Sequence, residues 1–284
     1  MKIGLVLEGG GMRGLYTVGA LDVLMEQGIT FDYCIGVSAG ACNAVSFLSG
    51  QQGRGKRVIL NYIGDKRYVG IGNFLREHSL FGMDFIFNQI PHELDPFDYE
   101  TFLASPCEFV AGVTDVTTGA PAYFGREVMD HDSTVLRASS AIPLFSPIVQ
   151  FQGGEYLDGG TSDPIPVKKA LADGCEKVLV VLTRDRSYEK SPEGFRHFYR
   201  RAFRKYPEMI RLLDTRHTLY NETRRQLWDL EKQGTALVVA PSSPVEIGRF
   251  EKDREKLEAL YQQGRGDMLA QLEALREVMG QRQR

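Results

Sequence analysis

The sequence predicts an α/β protein with a parallel or mostly parallel central sheet, and three stretches near its start carry that expectation. Ile3 to Leu7 is a short apolar run, the pattern of a buried strand. It breaks into Glu8-Gly9-Gly10-Gly11-Met12-Arg13-Gly14, after which Leu15, Val18, Gly19, Leu21, Leu24 and Met25 recur at helical spacing. Gly28 stands where a helix C-cap belongs, and from Asp32 and Tyr33 a second run of strand formers leads into Gly36-Val37-Ser38-Ala39-Gly40 and an Ala-rich helical pattern to Leu48. Strand, loop, helix, strand, helix in so short a span is the alternation of parallel sheets. Connections this tight leave no room for an inserted domain.

The later elements are read the same way. Val58, Ile59, Tyr62 and Ile63 suggest a helix, and Tyr68 to Ile90 mixes glycines with Phe74, Leu75, Leu80, Phe81, Met83, Phe85, Ile86 and Phe87, the composition of an acyl-chain pocket, a lid or short core helices. Glu108 to Val113 is strand-like, and Thr114 to Gly119 is a tight connection into Ala120-Tyr123-Phe124, with Asp115 as a turn acid. Ser133 begins a capped helix to Ser140, followed by a rigid loop with Pro143 and Pro147. Glu155-Tyr156-Leu157 leads into Asp158-Gly159-Gly160; a helix over Lys168 to Asp173 and a strand at Lys177 to Leu182 come next. Phe195, Phe198, Tyr199, Ala202, Phe203, Tyr206, Met209, Ile210 and Leu213 repeat at helical spacing with Arg196, Arg200, Arg201, Arg204 and Lys205 on other faces. Ala236 to Ala240 is a last strand, and Ile247 to Met279 reads as two charged helices broken near Gly264-Arg265-Gly266.

With 284 residues, 43% hydrophobic and 25% charged, the chain suits one large domain: a single unit over 1–284, in which 186–284 is a mainly helical C-terminal extension with one late strand. A net charge of -3 gives no global reason to expect nucleic acid as a partner. Cys34, Cys42, Cys107 and Cys175 lie far apart without Cys-x-x-Cys spacing, so they read as reduced core thiols, not as a zinc site or a disulfide framework. The first apolar run stops at Glu8, short of a signal peptide, and no run reaches the length of a membrane span. The expected location is cytoplasmic, with peripheral association with the inner membrane as an extension of that reading.

Two segments bear on chemistry. In Gly36-Val37-Ser38-Ala39-Gly40 the flanking glycines allow a sharp strand-to-helix turn, which would project the Ser38 hydroxyl from the sheet as a nucleophile and aim the next amide, that of Ala39, at the reaction zone; the plain alternative is a tight turn. Gly9, Gly11 and Gly14 also satisfy the dinucleotide fingerprint, but that fold wants an acid at the end of the second strand, whereas Asp32 sits at its beginning. The same loop reads instead as an oxyanion hole at a helix N-terminus, and Arg13, a cation opposing the helix dipole there, suggests a site that attracts anions. Asp158-Gly159-Gly160 alone is a turn; coupled to a serine, its carboxylate can take and return the hydroxyl proton while the glycines allow a close approach.

Together, Gly9-Gly10-Gly11-Met12-Arg13-Gly14, Gly36-Val37-Ser38-Ala39-Gly40 and Asp158-Gly159-Gly160 resemble the patatin-like phospholipase family in type, order and spacing, over roughly the first 185 residues. Arg137-Ala138-Ser139-Ser140-Ala141-Ile142-Pro143 and Val113-Thr114-Asp115 with Thr118-Gly119 are similar to family features as well. The resemblance implies a three-layer α/β/α hydrolase with a Ser-Asp dyad: Ser38 attacks an ester carbonyl, Asp158 is the base, and loop amides from Gly9 to Gly14 with that of Ala39 bind the oxyanion. It implies neither metal nor cofactor, and a lipid ester as substrate. After Asp-Gly-Gly, many members carry an Asn-rich turn where this chain has Thr161-Ser162-Asp163-Pro164-Ile165-Pro166, which bears on substrate identity.

The histidines argue against a Ser-acid-His triad independently. Only His197 and His217 follow Asp158, both in an arginine-rich helical stretch before the last strand. Acyl transfer or thioester cleavage on the same apparatus, and a lipid-binding module without turnover, are the competing functions. The basic, aromatic segment 195–213 is a candidate contact for an anionic bilayer, with internal packing as the duller reading. Acyl-chain length, head group and oligomeric state are left open.

Overall fold

The computed structural model describes residues 1–280. In chain order the main elements are β1 (Ile3–Leu7), α1 (Gly14–Glu26), β2 (Tyr33–Val37), α2 (Ala39–Leu48), α3 (Arg54–Leu60), α4 (Ile71–Glu77), α5 (Tyr99–Ala104), β3 (Glu108–Asp115), β4 (Pro121–Gly125), α6 (Thr134–Ser139), β5 (Val149–Phe151), β6 (Gly154–Asp158), α7 (Val167–Ala172), β7 (Lys177–Val181), α8 (Arg196–Ala202), α9 (Pro207–Lys232), β8 (Ala236–Val239), α10 (Arg254–Ala270) and α11 (Leu272–Gly280). A π-helical stretch, Phe85–Leu94, lies between α4 and α5.

The strands form one eight-stranded sheet in the order β5-β6-β3-β2-β1-β7-β8, with β4 also on β3. The run β3-β2-β1-β7-β8 is parallel throughout, whereas β4, β6 and β5 add antiparallel pairs. Successive strand side chains point to opposite faces, and here both faces are apolar. Ile3, Leu5 and Leu7 join a core with residues of α1, α2 and α10; Val6, Ile35, Val178 and Val180 join another with Val167 and Ala170 of α7 and Tyr220 and Leu227 of α9. The result is the expected three-layer α/β/α arrangement. Beyond residue 185, β8 lies on β7, and α10 packs along α1. Residues 281–284 lie outside the described residues.

Two sequence expectations give way to tertiary packing. The break expected at Gly264-Arg265-Gly266 is absent; α10 runs straight through both glycines, and the interruption comes at Gln271. A Cβ at Gly264 would lie 2.0 Å from the Tyr16 carbonyl oxygen, and one at Gly19 would lie 2.2 Å from that of Tyr261. These glycines serve close approach of two helix backbones, a use that a local reading mistakes for a stop signal. The expected continuous helix from Phe195 is two helices, with the turn at Phe203 to Tyr206 ahead of Pro207, whose missing N–H suits the first position of α9. A smaller difference concerns α6: Ser133 makes no side-chain cap, and Asp130 accepts from the Thr134 amide in its place.

One feature of the sheet positions everything that follows. β3 is longer than β2, and its edge is shared. Val37 at the end of β2 pairs with Gly112, and from Val113 onward the same edge pairs with β6, where Val113 is opposite Asp158. Because β2 runs parallel to β3 and β6 antiparallel, their C-terminal ends meet head-on over adjacent residues of one strand.

Candidate active site

Ser38 occupies the turn between β2 and α2 with φ 55 and ψ -129, a left-handed region that a serine enters only when its surroundings enforce it. The turn is tight enough that a Cβ at Gly40 would come within 2.4 Å of the Leu7 carbonyl oxygen, and one at Gly36 within 2.6 Å of the Ala41 amide nitrogen. A buried hydroxyl fixes it. Ser139 Oγ accepts the Ser38 N–H at 2.8 Å and donates to the Gly112 carbonyl at 2.7 Å, tying the turn to β3. The sequence reading quotes Ser139 within a longer segment and assigns it no role.

The junction of β2 and β6 over β3 brings Ser38 and Asp158 into the lining of one cavity, near enough for the serine hydroxyl to help hold the Asp158 pKa down. Asp158 accepts from the Gly160 amide at 2.8 Å, and its own carbonyl accepts from Thr114 Oγ1 at 2.8 Å. Gly159 is required by contact: a Cβ there would lie 2.1 Å from the Gly112 carbonyl oxygen. Burial raises the Asp158 pKa above the usual carboxylate value, opposed by the Ser38 hydroxyl, the Arg216 charge and the Gly160 amide. A carboxylate so perturbed is a stronger base than one in water. From α9, Arg216 donates to the Gly160 carbonyl through Nε at 3.1 Å and Nη2 at 2.6 Å. It therefore holds the turn that carries Asp158, a role that nothing local to position 216 signals.

The glycine loop passes on the other side of Ser38; a Cβ at Gly9 would be 2.9 Å from Ser38 Cβ. Of its amides, Met12 donates to the Arg249 carbonyl, Arg13 to that of Gly10 and Gly14 to those of Gly11 and Met12. Those three are therefore engaged inside the protein. Gly9, Gly10 and Gly11 make no backbone donation of this kind, and the Ala39 amide lies in the first turn of α2, where helix geometry supplies no acceptor. The Arg13 side chain is only 8% exposed; its Nη1 makes a long 3.5 Å contact to the Ile247 carbonyl, and its Nε has no partner.

Ser38 borders two cavities of opposite character. One is apolar, lined by Met12, Val45, Ile59, Phe81, Ile86 and Leu136 among others, and so uses part of the Tyr68 to Ile90 stretch read as pocket, lid or core. Cys42 also faces it, but burial pushes its thiol up to about 11, so it is not a thiolate nucleophile near neutral pH. The second cavity is polar and contains Asp158, Gly9, Gly10, Gly11 and Arg13. His197 and His217 are not among the residues lining either cavity.

With this geometry in hand, comparison with known proteins is informative. The model of the patatin-like phospholipase family matches residues 5–171. The chain belongs to that family. A second family model, a domain of unknown function designated DUF6363, matches residues 206–280 of this patatin-like protein. Among curated relatives, the uncharacterized protein YjjU of Escherichia coli K12 is 34% identical over 210 residues, 70% of this chain and 57% of YjjU. Lysophospholipase NTE1 of Cryptococcus neoformans is 28% identical over 217 residues, 70% of this chain and 13% of that protein. The patatin-like chain thus spans little more than half of one relative and a small part of the other. Among solved structures, VipD from Legionella pneumophila superposes with a TM-score of 0.51 over 96% of this chain and 67% of its own, at 13% identity, a likeness of fold.

Proposed function

We propose that this protein is a serine acyl-ester hydrolase acting on lipid esters. The observation that carries the reading is the place of Ser38, where an apolar cavity meets a polar one lined by Asp158 and by a loop with unengaged amides. Ser38 is the nucleophile. Asp158 accepts its proton as Oγ attacks the ester carbonyl, and returns it to the departing alcohol; a water activated by the same carboxylate then releases the acid. Amides among Gly9, Gly10, Gly11 and Ala39 receive the charge on the carbonyl oxygen, in place of the whole Gly9 to Gly14 loop. Lipid chemistry is supported by the apolar cavity, by family membership and by the likeness to relatives named lysophospholipases. Ser38→Ala should abolish hydrolysis of a short-chain aryl ester and labelling by a fluorophosphonate; undiminished turnover would overturn the assignment.

The peripheral membrane reading is narrowed to one face. Tyr199, Phe203, Met209 and Leu213 are buried, and Asp214 pairs with Arg196 and Arg200. Phe195 and Phe198 remain 67% and 70% exposed, near the exposed Arg201, Arg204 and Lys205. We infer that these side chains, and not the whole of 195–213, touch an anionic bilayer from the cytoplasmic side. No helix among the described residues is long and apolar enough to cross a membrane.

A further inference from the structure

The polar cavity at Ser38 carries more positive charge than the dyad requires. Arg13, Arg184, Lys190, Arg216 and Arg249 all line it. Lys190 and Arg216 share Glu193, at 2.8 and 2.9 Å, and Glu8 is engaged by the Tyr220 hydroxyl and the Thr183 amide. Among the described residues, Arg13, Arg184 and Arg249 have no carboxylate partner; Arg184 donates to the Val245 carbonyl at 2.6 Å and lies over the Tyr188 ring. Burial, with Arg184 and Arg249 nearby, pushes Arg13 down to about 10, and burial with Arg216 pushes Lys190 down to about 8. Such a cluster of repelling cations beside a buried guanidinium with an unpartnered Nε is costly unless an anion enters.

The geometry also orients a substrate. Ser38, Gly11 and Ile142 border both cavities. An ester whose carbonyl sits at Ser38 with its acyl chain in the apolar cavity directs its alcohol portion into the cationic one. Four of the five cations, all but Arg13, lie beyond residue 171, where the patatin match ends, and Arg216 and Arg249 fall within the segment matched by the domain of unknown function. We propose that this C-terminal segment completes an anion site for a terminal phosphate, so that among phosphate-bearing acyl esters one whose leaving alcohol ends in an uncapped phosphate is preferred over one whose headgroup carries its own cation. A neutral alcohol leaves the cluster uncompensated, and a zwitterionic headgroup brings a further cation to it. This inference rests on the hydrolase reading for its word "substrate", but the site itself does not.

The test uses binding first. Octyl phosphate, octyl glucoside and inorganic phosphate are titrated separately into the full chain by calorimetry, the two amphiphiles below their micelle concentrations. Octyl phosphate should bind about ten-fold or more tightly than either of the others, since charge-assisted hydrogen bonds and chain burial act together only there. Arg249→Gln, which removes a guanidinium without a carboxylate partner and leaves its carbonyl to Met12, should bring octyl phosphate to within about three-fold of octyl glucoside. Arg184→Gln should move it the same way, and melting curves establish that each variant folds. Equal binding of octyl phosphate and octyl glucoside would overturn the proposal, and inorganic phosphate binding as tightly as octyl phosphate would mark a free-phosphate site instead. Kinetics come second: kcat/KM for a 1-acylglycerol 3-phosphate should exceed that for the matching monoacylglycerol and that for the matching phosphocholine ester, and both ratios should fall in Arg249→Gln; a phosphocholine ester hydrolysed as well as the phosphate would overturn the preference. Should none of these esters turn over, the hydrolase reading fails while the binding result still decides this one.

Discussion

Ser139 is the most economical place to test how the Ser38 turn is held. Ser139 is fully buried, and its hydroxyl makes two hydrogen bonds to backbone groups of buried residues, the Ser38 N–H at 2.8 Å and the Gly112 carbonyl at 2.7 Å. Ser139→Ala leaves one donor and one acceptor unpaired, at about 1–3 kcal/mol each, so the fold should lose about 2–5 kcal/mol after partial relaxation. For a chain of 284 residues that corresponds to about 3–9 °C in Tm. The second consequence is specific to the site. The hydroxyl anchors a residue at φ 55, so its loss lets the turn relax and the nucleophile drift. Measured well below the melting transition on an aryl ester, kcat should fall by about ten-fold or more with KM little changed, because positioning acts on the transition state. Ser139→Thr, which keeps the hydroxyl, should recover part of both. A Ser139→Ala protein that melts within about 1 °C of wild type and keeps its kcat would refute the reasoning, since two buried amide groups cannot lose their partner at no cost.

Asp158→Asn should reduce ester hydrolysis by about three orders of magnitude or more, since the serine loses its base, and yet leave stability equal or higher. The sign follows from the raised pKa: burial makes the ionised carboxyl unfavourable in the fold, a destabilisation fully present above the folded pKa and relieved as pH falls toward the unfolded value. Hydrolysis should accordingly disappear on the acid side as pH drops through that same raised pKa, and a pH–rate profile with an ordinary exposed-carboxylate midpoint would count against Asp158. Gly264→Ala separates two accounts of α10: helix propensity alone predicts a gain of about 1 kcal/mol, whereas a Cβ 2.0 Å from the Tyr16 carbonyl predicts a lowered Tm. Replacing Phe195 and Phe198 together by Ser should weaken sedimentation with anionic vesicles by about ten-fold or more while Tm holds, because both rings are mostly exposed in the free protein; unchanged partitioning removes them from the contact.

Much of the architecture was legible because it depends on near neighbours. The apolar runs at Ile3–Leu7, Tyr33–Val37 and Lys177–Val181 appear as strands, and Asp115 accepts from the Thr117 and Thr118 amides as a turn acid does. Gly264 misled, since a glycine that ends a helix and one that admits a neighbouring backbone look alike in sequence. The single helix expected after Phe195 failed because its spacing survives a short turn, and only Pro207 hints at the restart.

By itself the chain's order of residues determined the kinds of local structure and the chemical groups available: a serine between glycines, an aspartate before two more, and a loop of glycines ahead of a helix. Only the tertiary structure decided which of them meet. Ser38 and Asp158 are neighbours because β3 outlasts β2 and passes its free edge to β6, and sheet pairing over such a distance leaves no periodic trace. Apart from Arg13, the cations around them come from α9 and from loops far along the chain, so no local pattern groups them. Periodicity reports what a residue does with its nearest neighbours; a site assembled across a sheet depends on which strand ends first.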